Sequence, residues 1–265
     1  MKKSFNERLM SRCKETNNRL CIGLDIDPDK LPASVSNFKS IELFIKDIID
    51  STIDFCPVYK PNLAFYERFG SKGFNLLENI VDFIGDRAIT IADGKRGDIG
   101  NTSKHYANSI FNQFGFDAIT ISPYMGTDSI TPFMQDKSKG VFVLCLTSNN
   151  SSKDFQFLTK NDTPLYQLVA DKTKSLNINN NLGLVVGATN DNQMLSLREK
   201  SEGLSWLIPG VGTQGGNLET SVKIGNKNSI GIINISRSII YSGDGSINDI
   251  SEAALNYTRK IRSFL

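Results

Sequence analysis

The sequence predicts a single α/β domain over residues 1–265, folded as a closed (β/α)8 TIM barrel. Three observations support this fold. Eight short apolar runs recur along the chain, helical spacing of apolar residues fills the gaps between them, and 265 residues is an ordinary length for one such barrel. We see no linker or break in composition that would predict a second domain.

The eight apolar runs are predicted to be the strands of the barrel. Each run is continuous rather than alternating, which is typical of parallel strands buried on both faces. In chain order the runs are Leu20–Leu24, Pro57–Asn62, Ala88–Ala92, Ala118–Ser122, Val141–Leu146, Leu182–Val186, Trp206–Ile208 and Gly231–Ile235. An open doubly wound sheet is the rival arrangement, but the first run ends in Gly23-Leu24-Asp25 and no G-x-G-x-x-G turn follows it.

Helical spacing of apolar residues fills the gaps between the runs. The predicted helices are Glu7–Lys14, Ile41–Ile48, Phe74–Ile84, Ser103–Phe114, Pro164–Leu176, Asn190–Lys200, Leu218–Gly225 and Ile250–Leu265. The first of them is expected to cap the bottom of the barrel. The polar stretch Thr147–Asp162 is the longest irregular segment, and it follows the fifth strand. Because long irregular loops are commonly functional, we interpret it as a lid over the catalytic face.

Composition argues against several classes of protein. The formal net charge of +2 comes from scattered Lys and Arg residues, so we expect no nucleic-acid partner. The four cysteines form no C-x-x-C pair and His105 is the only histidine, which indicates buried cysteines in a reducing compartment and no metal site. The N-terminus lacks the apolar core of a signal peptide, and no run reaches the ~20 apolar residues of a membrane span. We therefore expect a cytoplasmic protein.

Polar or glycine-rich features stand where six of the eight predicted strands end. A (β/α)8 barrel builds its active site from the carboxyl ends of its strands. The features are Asp25, Lys60, Asp93 with Lys95, Ser122, the loop Pro209–Gly216, and Ser236 with Arg237. Simpler explanations exist for single residues: Asp25 can cap a turn and Lys60 can extend its amine to solvent. Their coincidence with strand ends favours a functional site.

The densest group of charges is the segment Asp93-Gly94-Lys95-Arg96-Gly97-Asp98. Side chains two apart on a strand point the same way, so Asp93 and Lys95 are expected to face the barrel mouth near Lys60. The two glycines of the segment are expected to let the backbone turn sharply and to keep the approach to the site open. With Asp98, the group has two positive and two negative charges that could neutralise one another in a poorly solvated pocket. A purely structural ion-pair network is the alternative.

A second group of residues, at the ends of the last two strands, is suited to an anion. Four glycines between positions 210 and 216, Gly212 among them, expose backbone N–H groups in a loop that enters a helix. Gln214 can add a donor, and Arg237 can form a bidentate clamp. Phosphate commonly binds at the loops after strands seven and eight of such barrels. The sequence therefore predicts a phosphate site here.

These motifs resemble those of the orotidine 5′-phosphate decarboxylases, from Leu20 to about Tyr241. The segment that begins at Asp93 is similar to the family's D-x-K-x-x-D-I signature, and Lys60 to its preceding-strand lysine. Further residues that match are Asp25 for the ribose, Ser122 for the pyrimidine, and Pro209, Gly212, Gln214, Ser236 and Arg237 for the phosphate. Several segments are similar to the longer bacterial branch, the type 2 subfamily, in which a proline is expected where Asn150 stands in the lid.

The resemblance implies a lyase that converts orotidine 5′-monophosphate to UMP and CO₂ in pyrimidine biosynthesis, without a cofactor. Its implied catalytic residues are Lys60, Asp93, Lys95 and Asp98. Lys95 would stabilise a carbanion at C6 of the pyrimidine as an ammonium and then donate its proton. The resemblance also implies a homodimer in which Asp98, Ile99 and Thr102 reach the neighbouring site.

Two other interpretations stay open. The 3-keto-gulonate 6-phosphate decarboxylases share the D-x-K-x-x-D array and bind Mg²⁺. Lys60 and the strand end at Ser122 favour the orotidylate branch, and Asn62 with Glu67 is a poor match to the acidic residues expected in that sister group. The other interpretation is a non-catalytic barrel that binds pyrimidine nucleotides, which would keep Arg237 but would not need the charged array.

Overall fold

The computed structural model describes residues 2–189, 191–212 and 215–265. The strands that form its main sheet are β1 (Leu20–Gly23), β2 (Val58–Lys60), β3 (Ile89–Arg96), β4 (Ala118–Ile121), β5 (Gly140–Leu146), β8 (Leu182–Val186), β9 (Ser205–Pro209) and β10 (Gly231–Ile235). Within the described residues these eight strands close into a parallel barrel in the order β1-β10-β9-β8-β5-β4-β3-β2. The predicted (β/α)8 barrel is therefore confirmed.

The strands follow the predicted apolar runs because their residues are buried on both faces. β8 and β10 have the predicted bounds, and all five residues of each are buried. β3 is the exception, since it continues four residues past the predicted end at Ala92 and finishes at Arg96. The strand thus continues past Asp93 and Lys95 and pairs with β4 again at Arg96, which an apolar pattern cannot reveal.

The helices form the outer layer and alternate with the strands. They are α1 (Phe5–Glu15), α2 (Phe38–Thr52), α3 (Ala64–Glu67), α4 (Ser71–Ile84), α5 (Gly100–Asn108), α6 (Leu165–Leu176), α7 (Asp191–Lys200), α8 (Leu218–Gly225), α9 (Arg237–Ile240) and α10 (Ile247–Phe264). The predicted helix Ser103–Phe114 instead consists of α5 followed by a π-helical turn over Ser109–Gln113. α10 begins three residues before the predicted Ile250, because Ser246 caps it by accepting from the Asp249 amide.

α1 covers the bottom of the barrel, as predicted. A capping box between Ser4 and Glu7 starts this helix, and it buries Phe5 and Leu9 against inward-facing strand residues. The ring of Phe5 meets that of Phe142 edge to face, with centroids 5.9 Å apart. This end of the barrel is closed by apolar packing, which leaves the carboxyl ends of the strands as the open side.

The segment after β5, Thr147–Asp162, is more ordered than predicted. A 3-10 helix spans Asn150–Asp154, and two short antiparallel strands, β6 (Thr159–Lys160) and β7 (Thr163–Pro164), form a hairpin that leads into α6. The side chain of Gln156 ties the middle of this lid to its first residue, which directly follows β5: it accepts from the Thr147 amide at 2.9 Å and donates to the Thr147 hydroxyl at 2.8 Å.

The described part of the chain also bears on the expectations about the cysteines and about membrane spans. The thiols of Cys13, Cys21, Cys56 and Cys145 are all buried and unpaired by disulfides, which agrees with the reading of the cysteines as small apolar residues. Of the helices in the described residues, none has both the length and the apolar character that crossing a bilayer requires.

Candidate active site

A cavity of about 780 Å³ opens at the carboxyl ends of the barrel strands. The predicted site residues that line it are Asp25, Lys60, Asp93, Lys95 and Pro209. The lid contributes Thr147, Ser148, Asn149, Asn150 and Gln156, the loop after β2 adds Asn62, and β10 adds Asn234. The cavity is therefore polar on its rim, and the lid that the sequence predicted borders it directly.

The carboxylate of Asp93 lies between two lysine ammonium groups. Lys60 Nζ is 2.7 Å from Asp93 Oδ2, and Lys95 Nζ is 2.6 Å from Asp93 Oδ1. The Lys60 side chain is 3% exposed and that of Lys95 is 47% exposed. Lys60 is thus a fixed partner at the cavity floor, whereas Lys95 stands at the mouth where a substrate atom can reach it.

Charge pairing keeps this buried group ionised. Burial favours the protonated form of Asp93, but attraction to Lys60 and Lys95 outweighs it, so the pKa of Asp93 lies well below its ordinary value. Burial likewise favours a neutral amine at Lys60, but Asp93 and then Asp25 outweigh it, so the pKa of Lys60 lies above its ordinary value. The cavity wall therefore carries fixed charges in surroundings of low dielectric constant.

The backbone at Lys95 departs from a regular strand. Its φ is 46°, in the left-handed region that residues with a side chain rarely adopt. Ala92 pairs with Ile119 and Arg96 with Ile121, so three residues of β3 lie opposite a single residue of β4. Asp93 and Lys95, at the two ends of this bulge, do bring their side chains together at the cavity mouth. The predicted reason, regular alternation along a strand, is wrong.

The two glycines of the charged segment provide space rather than a turn. Neither Gly94 nor Gly97 has a positive φ. A Cβ at Gly94 would lie 2.7 Å from Leu63 Cδ1, and one at Gly97 would lie 3.2 Å from Ser122 Cβ. The predicted sharp turn at these glycines is therefore wrong, and close packing against Leu63 and Ser122 explains them instead.

Asp98 lies outside the ion-pair group. Its Oδ1 accepts from the Ile99 amide at 2.8 Å, and among the described residues it forms no ion pair. Ile99 is 52% exposed and Thr102, in the first turn of α5, is exposed as well. The predicted group of four charges thus consists, within one chain, of Lys60, Asp93 and Lys95.

Ser122 does not line the cavity. Its amide donates to the Arg96 carbonyl at 2.7 Å, its Oγ accepts from the Tyr124 amide at 3.5 Å, and its Cβ faces Gly97. Ser148, in the lid, borders the cavity instead. Sequence reasoning treated the lid as a whole and gave no role to its separate polar residues; their density after β5 was the available signal.

A smaller cavity of about 250 Å³ shares Asp25 with the main one, and Arg237 lines it. Arg237 is the first residue of α9, its side chain is exposed, and Ser236 precedes it as the cap. Asp25 Oδ1 and Ser236 Oγ are buried without a hydrogen-bond partner in the described structure. Unsatisfied buried oxygens of this kind mark places where a ligand would supply the missing partner.

Pro209, Gly212 and Gln214 are the remaining predicted phosphate residues. Pro209 lines the main cavity. Gly212 has a φ of 85°, and a Cβ at this position would lie 2.6 Å from Ser238 Oγ in α9. Gln214 lies outside the described residues. Tyr241 was missed by sequence reasoning: its hydroxyl donates to the Asp25 carbonyl at 2.8 Å and accepts from the Asp27 amide at 2.6 Å, which fixes the turn after β1.

Fold and site together define a class of protein. The open end of this (β/α)8 barrel holds paired charges and buried oxygens without a hydrogen-bond partner. These features define a barrel enzyme with its active site at the carboxyl ends of the strands. The chain belongs to the Orotidine 5′-phosphate decarboxylase / HUMPS family, whose model matches residues 18–247.

Relatives of known name agree with this assignment. An orotidine 5′-phosphate decarboxylase of Dehalococcoides mccartyi is 44% identical over 91% of this chain and 90% of its own length. The solved OMP decarboxylase of Leishmania donovani superposes with a TM-score of 0.87 at 35% identity, covering 99% of this chain and 98% of that one. The UMP synthase of the same organism superposes with a TM-score of 0.90 at 36% identity, but this chain spans only 57% of it.

Proposed function

We propose that this chain converts orotidine 5′-monophosphate to UMP and CO₂, the step that completes UMP in pyrimidine biosynthesis. The observation that carries the proposal is the Asp93 carboxylate held between Lys60 and Lys95 at the floor and mouth of the cavity. Curated relatives that carry this activity in their names match nearly the whole chain. The chemistry uses side chains of the protein itself, in one domain.

Loss of CO₂ from C6 leaves an electron pair in the plane of the pyrimidine ring, where the ring offers no obvious electron sink. The enzyme must therefore stabilise the carbanion by electrostatics. Lys95 lies at the cavity mouth with its Nζ already oriented by Asp93 Oδ1. As an ammonium it stabilises the developing negative charge and then donates a proton to C6, which gives UMP.

Asp93 has a second effect on the reaction. The substrate carboxylate would lie beside it, and two unit charges about 4 Å apart at an effective dielectric near 20 repel by roughly 4 kcal/mol. That repulsion disappears as neutral CO₂ forms, so it lowers the barrier, although it is too small to account for the whole acceleration. Lys60 keeps Asp93 ionised and in place, because its ammonium is buried against Oδ2.

A decarboxylation assay tests the function. Loss of orotidylate absorbance with purified protein, unchanged by EDTA, is the expected result. Turnover that disappears with EDTA would favour the Mg²⁺-dependent sister activity, and no turnover in either condition would contradict the proposal.

Lys95→Ala tests the role of the proton donor. We expect UMP formation to fall by several orders of magnitude while the circular dichroism spectrum and melting temperature stay near those of the wild type, because the Lys95 side chain is half exposed. Near-normal turnover in this variant would contradict the assignment.

We propose that the substrate phosphate binds at the Arg237 end of the paired cavities, with the ribose at Asp25. Asp25 borders both cavities, so a nucleotide that spans them would pass its ribose across that carboxylate. Arg237→Ala should raise KM for orotidine 5′-monophosphate by at least tenfold, since a charge-assisted pair is lost. It should leave the KM of the phosphate-free nucleoside unchanged; an unaltered KM for the nucleotide would refute the clamp.

We also propose a cytoplasmic homodimer. Asp98, Ile99 and Thr102 lie in a chain segment that does not line its own cavity. The loops after β3 and β4 meet where Gly97 packs on Ser122, and the second of them exposes 86% of Tyr124. Exposed apolar side chains next to an incomplete site suit a contact with a second copy of the chain.

A further inference from the structure

We propose that Thr120 is a positioning residue for decarboxylation: its hydroxyl holds the Asp93–Lys95 bulge in the conformation that presents the Lys95 ammonium to the substrate. Thr120 is 1% exposed and lies in β4, behind the charged group rather than in the cavity. The inference rests on the proposed function, in which Lys95 is the proton donor.

The bulge leaves β3 without regular pairing where the catalytic side chains stand. Ala92 pairs with Ile119 and Arg96 pairs with Ile121, so Thr120 alone faces the three residues between them. The backbone of one β4 residue cannot supply hydrogen bonds to all three of these β3 residues. The hydroxyl of Thr120 provides hydrogen bonds in place of strand pairing: it accepts from the Lys95 amide at 3.0 Å and donates to Asp93 Oδ1 at 2.9 Å.

The direction of these hydrogen bonds is fixed by chemistry. A backbone amide only donates and an ionised carboxylate only accepts, so the single hydroxyl proton of Thr120 must point to Asp93. Asp93 Oδ1 then receives two donors, Thr120 Oγ1 and Lys95 Nζ, the latter at 2.6 Å. One hydroxyl thus ties together the carboxylate, the lysine backbone and, through the carboxylate, the lysine ammonium.

Lys95 needs this support because its backbone is strained. A φ of 46° is disfavoured for a residue with a Cβ, and it persists only where surrounding contacts impose it. Without the Thr120 hydroxyl, the Lys95 amide loses its acceptor and the bulge is free to relax towards an ordinary strand. The ammonium would then move relative to C6 of a bound substrate, while the phosphate end of the cavity would be unaffected.

Thr90 is a matched control for Thr120 and lies in β3, the strand that carries Asp93 and Lys95. It is 2% exposed, its Oγ1 donates to Asp117 Oδ2 at 3.2 Å, and it accepts from the Asp117 amide at 3.1 Å. This is the same arrangement of threonine hydroxyl, aspartate carboxylate and backbone amide, but it lies in the lower part of β3 away from the cavity. Replacing either hydroxyl therefore removes comparable bonds, and only one of the two changes touches the site.

The experiment compares Thr120→Val, Thr120→Ser and Thr90→Val in steady-state decarboxylation of orotidine 5′-monophosphate. We expect Thr120→Val to lower kcat by about 10- to 100-fold and to change KM by less than about threefold. Thr120→Ser keeps the hydroxyl and should restore kcat to within a few-fold of the wild type. Thr90→Val should have a lower melting temperature than the wild type and an unchanged kcat.

Each contrary result overturns the inference. A normal kcat in Thr120→Val, an equal loss of kcat in Thr90→Val, or a serine variant as slow as the valine variant would show that the hydroxyl has only a structural role. If Thr120→Val does not fold, Thr120→Ala replaces it, with the same expected loss of kcat. An inactive wild type would refute the proposed function instead, which separates the two failures.

Discussion

At the scale of single residues, the Lys60–Asp93 pair determines whether the site can exist at all. Both side chains are nearly buried, with exposures of 3% and 11%. Removing one member of a buried ion pair leaves an uncompensated charge, which typically costs about 3–5 kcal/mol. Replacing both members by neutral residues of similar size costs much less. The fold itself therefore does not need the pair, which is consistent with the role in the active site that we propose for it.

This argument predicts a stability cycle. Asp93→Asn should lower the free energy of unfolding by about 3–5 kcal/mol, because it leaves the buried Lys60 ammonium without its ion-pair partner. The double variant Lys60→Met/Asp93→Asn should recover most of the loss. Urea denaturation at neutral pH measures the free energy of unfolding of both variants. A double variant no more stable than Asp93→Asn would show that the pair does not act as a unit. The double variant should be inactive in either case.

The same pair fixes a pH dependence. The folded pKa of Asp93 is lowered, so its contribution to stability is present above its ordinary value near 3.9 and is lost as the pH falls towards the folded value. The folded pKa of Lys60 is raised, so its contribution is present below about 10.4 and is lost as the pH rises. The free energy of unfolding of the wild type, relative to that of the double variant, should therefore be constant from about pH 5 to 9 and fall on both sides.

The sequence revealed the partners in this group but not its geometry. The apolar runs placed Lys60, Asp93 and Lys95 at the carboxyl ends of two consecutive strands. The carboxyl ends of barrel strands meet on one side of the barrel, so the three residues could be predicted to lie together. The left-handed backbone at Lys95 and the role of Thr120 depend on a register shift between two strands. A threonine in an apolar strand is ordinary for its β-branched shape, so its sequence carried no sign of that role.

At the scale of elements, continuous apolar runs predicted the strands well because buried parallel strands are selected for apolar residues on both faces. The lid was harder to predict. Its hairpin pairs only Thr159 with Pro164 and Lys160 with Thr163, and no periodic pattern arises from two pairs. Two of the hydrogen bonds that hold the lid beside the end of β5 come from the side chain of Gln156, which is 9 residues from Thr147 along the chain.

Gln156→Ala should therefore detach the lid from the end of β5. Two hydrogen bonds are lost, each worth about 0.5–1.5 kcal/mol, so KM for the nucleotide should rise by roughly tenfold if lid closure contributes to binding. Faster hydrogen exchange of the amides between 147 and 164 should accompany the change.

Gln135→Ala is the matched control for the lid variant. Gln135 is an exposed glutamine whose amide donates to the Thr131 carbonyl, four residues earlier. It should leave KM and the exchange of the lid amides unchanged. An unaltered KM in Gln156→Ala, despite faster exchange, would mean that lid attachment does not contribute to substrate binding.

At the scale of the whole molecule, the position of Asp98 bears on the homodimer that we propose. Lys60 and Lys95 pair with Asp93, and Asp25 faces Lys60 in the same cavity, while Asp98 lies apart and bonds to the Ile99 amide. In the proposed homodimer, Asp98 of each subunit would reach the neighbouring site across a two-fold axis. Strand patterns describe one chain only, so periodicity could not have predicted this arrangement.

Subunit mixing tests the shared site. Neither Lys95→Ala nor Asp98→Ala alone should be active, since each removes a catalytic group from both sites of its homodimer. In a heterodimer of the two, one site would carry both lesions and the other neither. Random mixing gives half heterodimers, so about one quarter of all sites should regain wild-type turnover. Tandem affinity tags on the two variants allow heterodimers to be purified, and half of the wild-type activity per dimer is then expected. Inactive heterodimers of verified composition, or a wild type that sediments as a monomer while fully active, would show that each chain completes its own site.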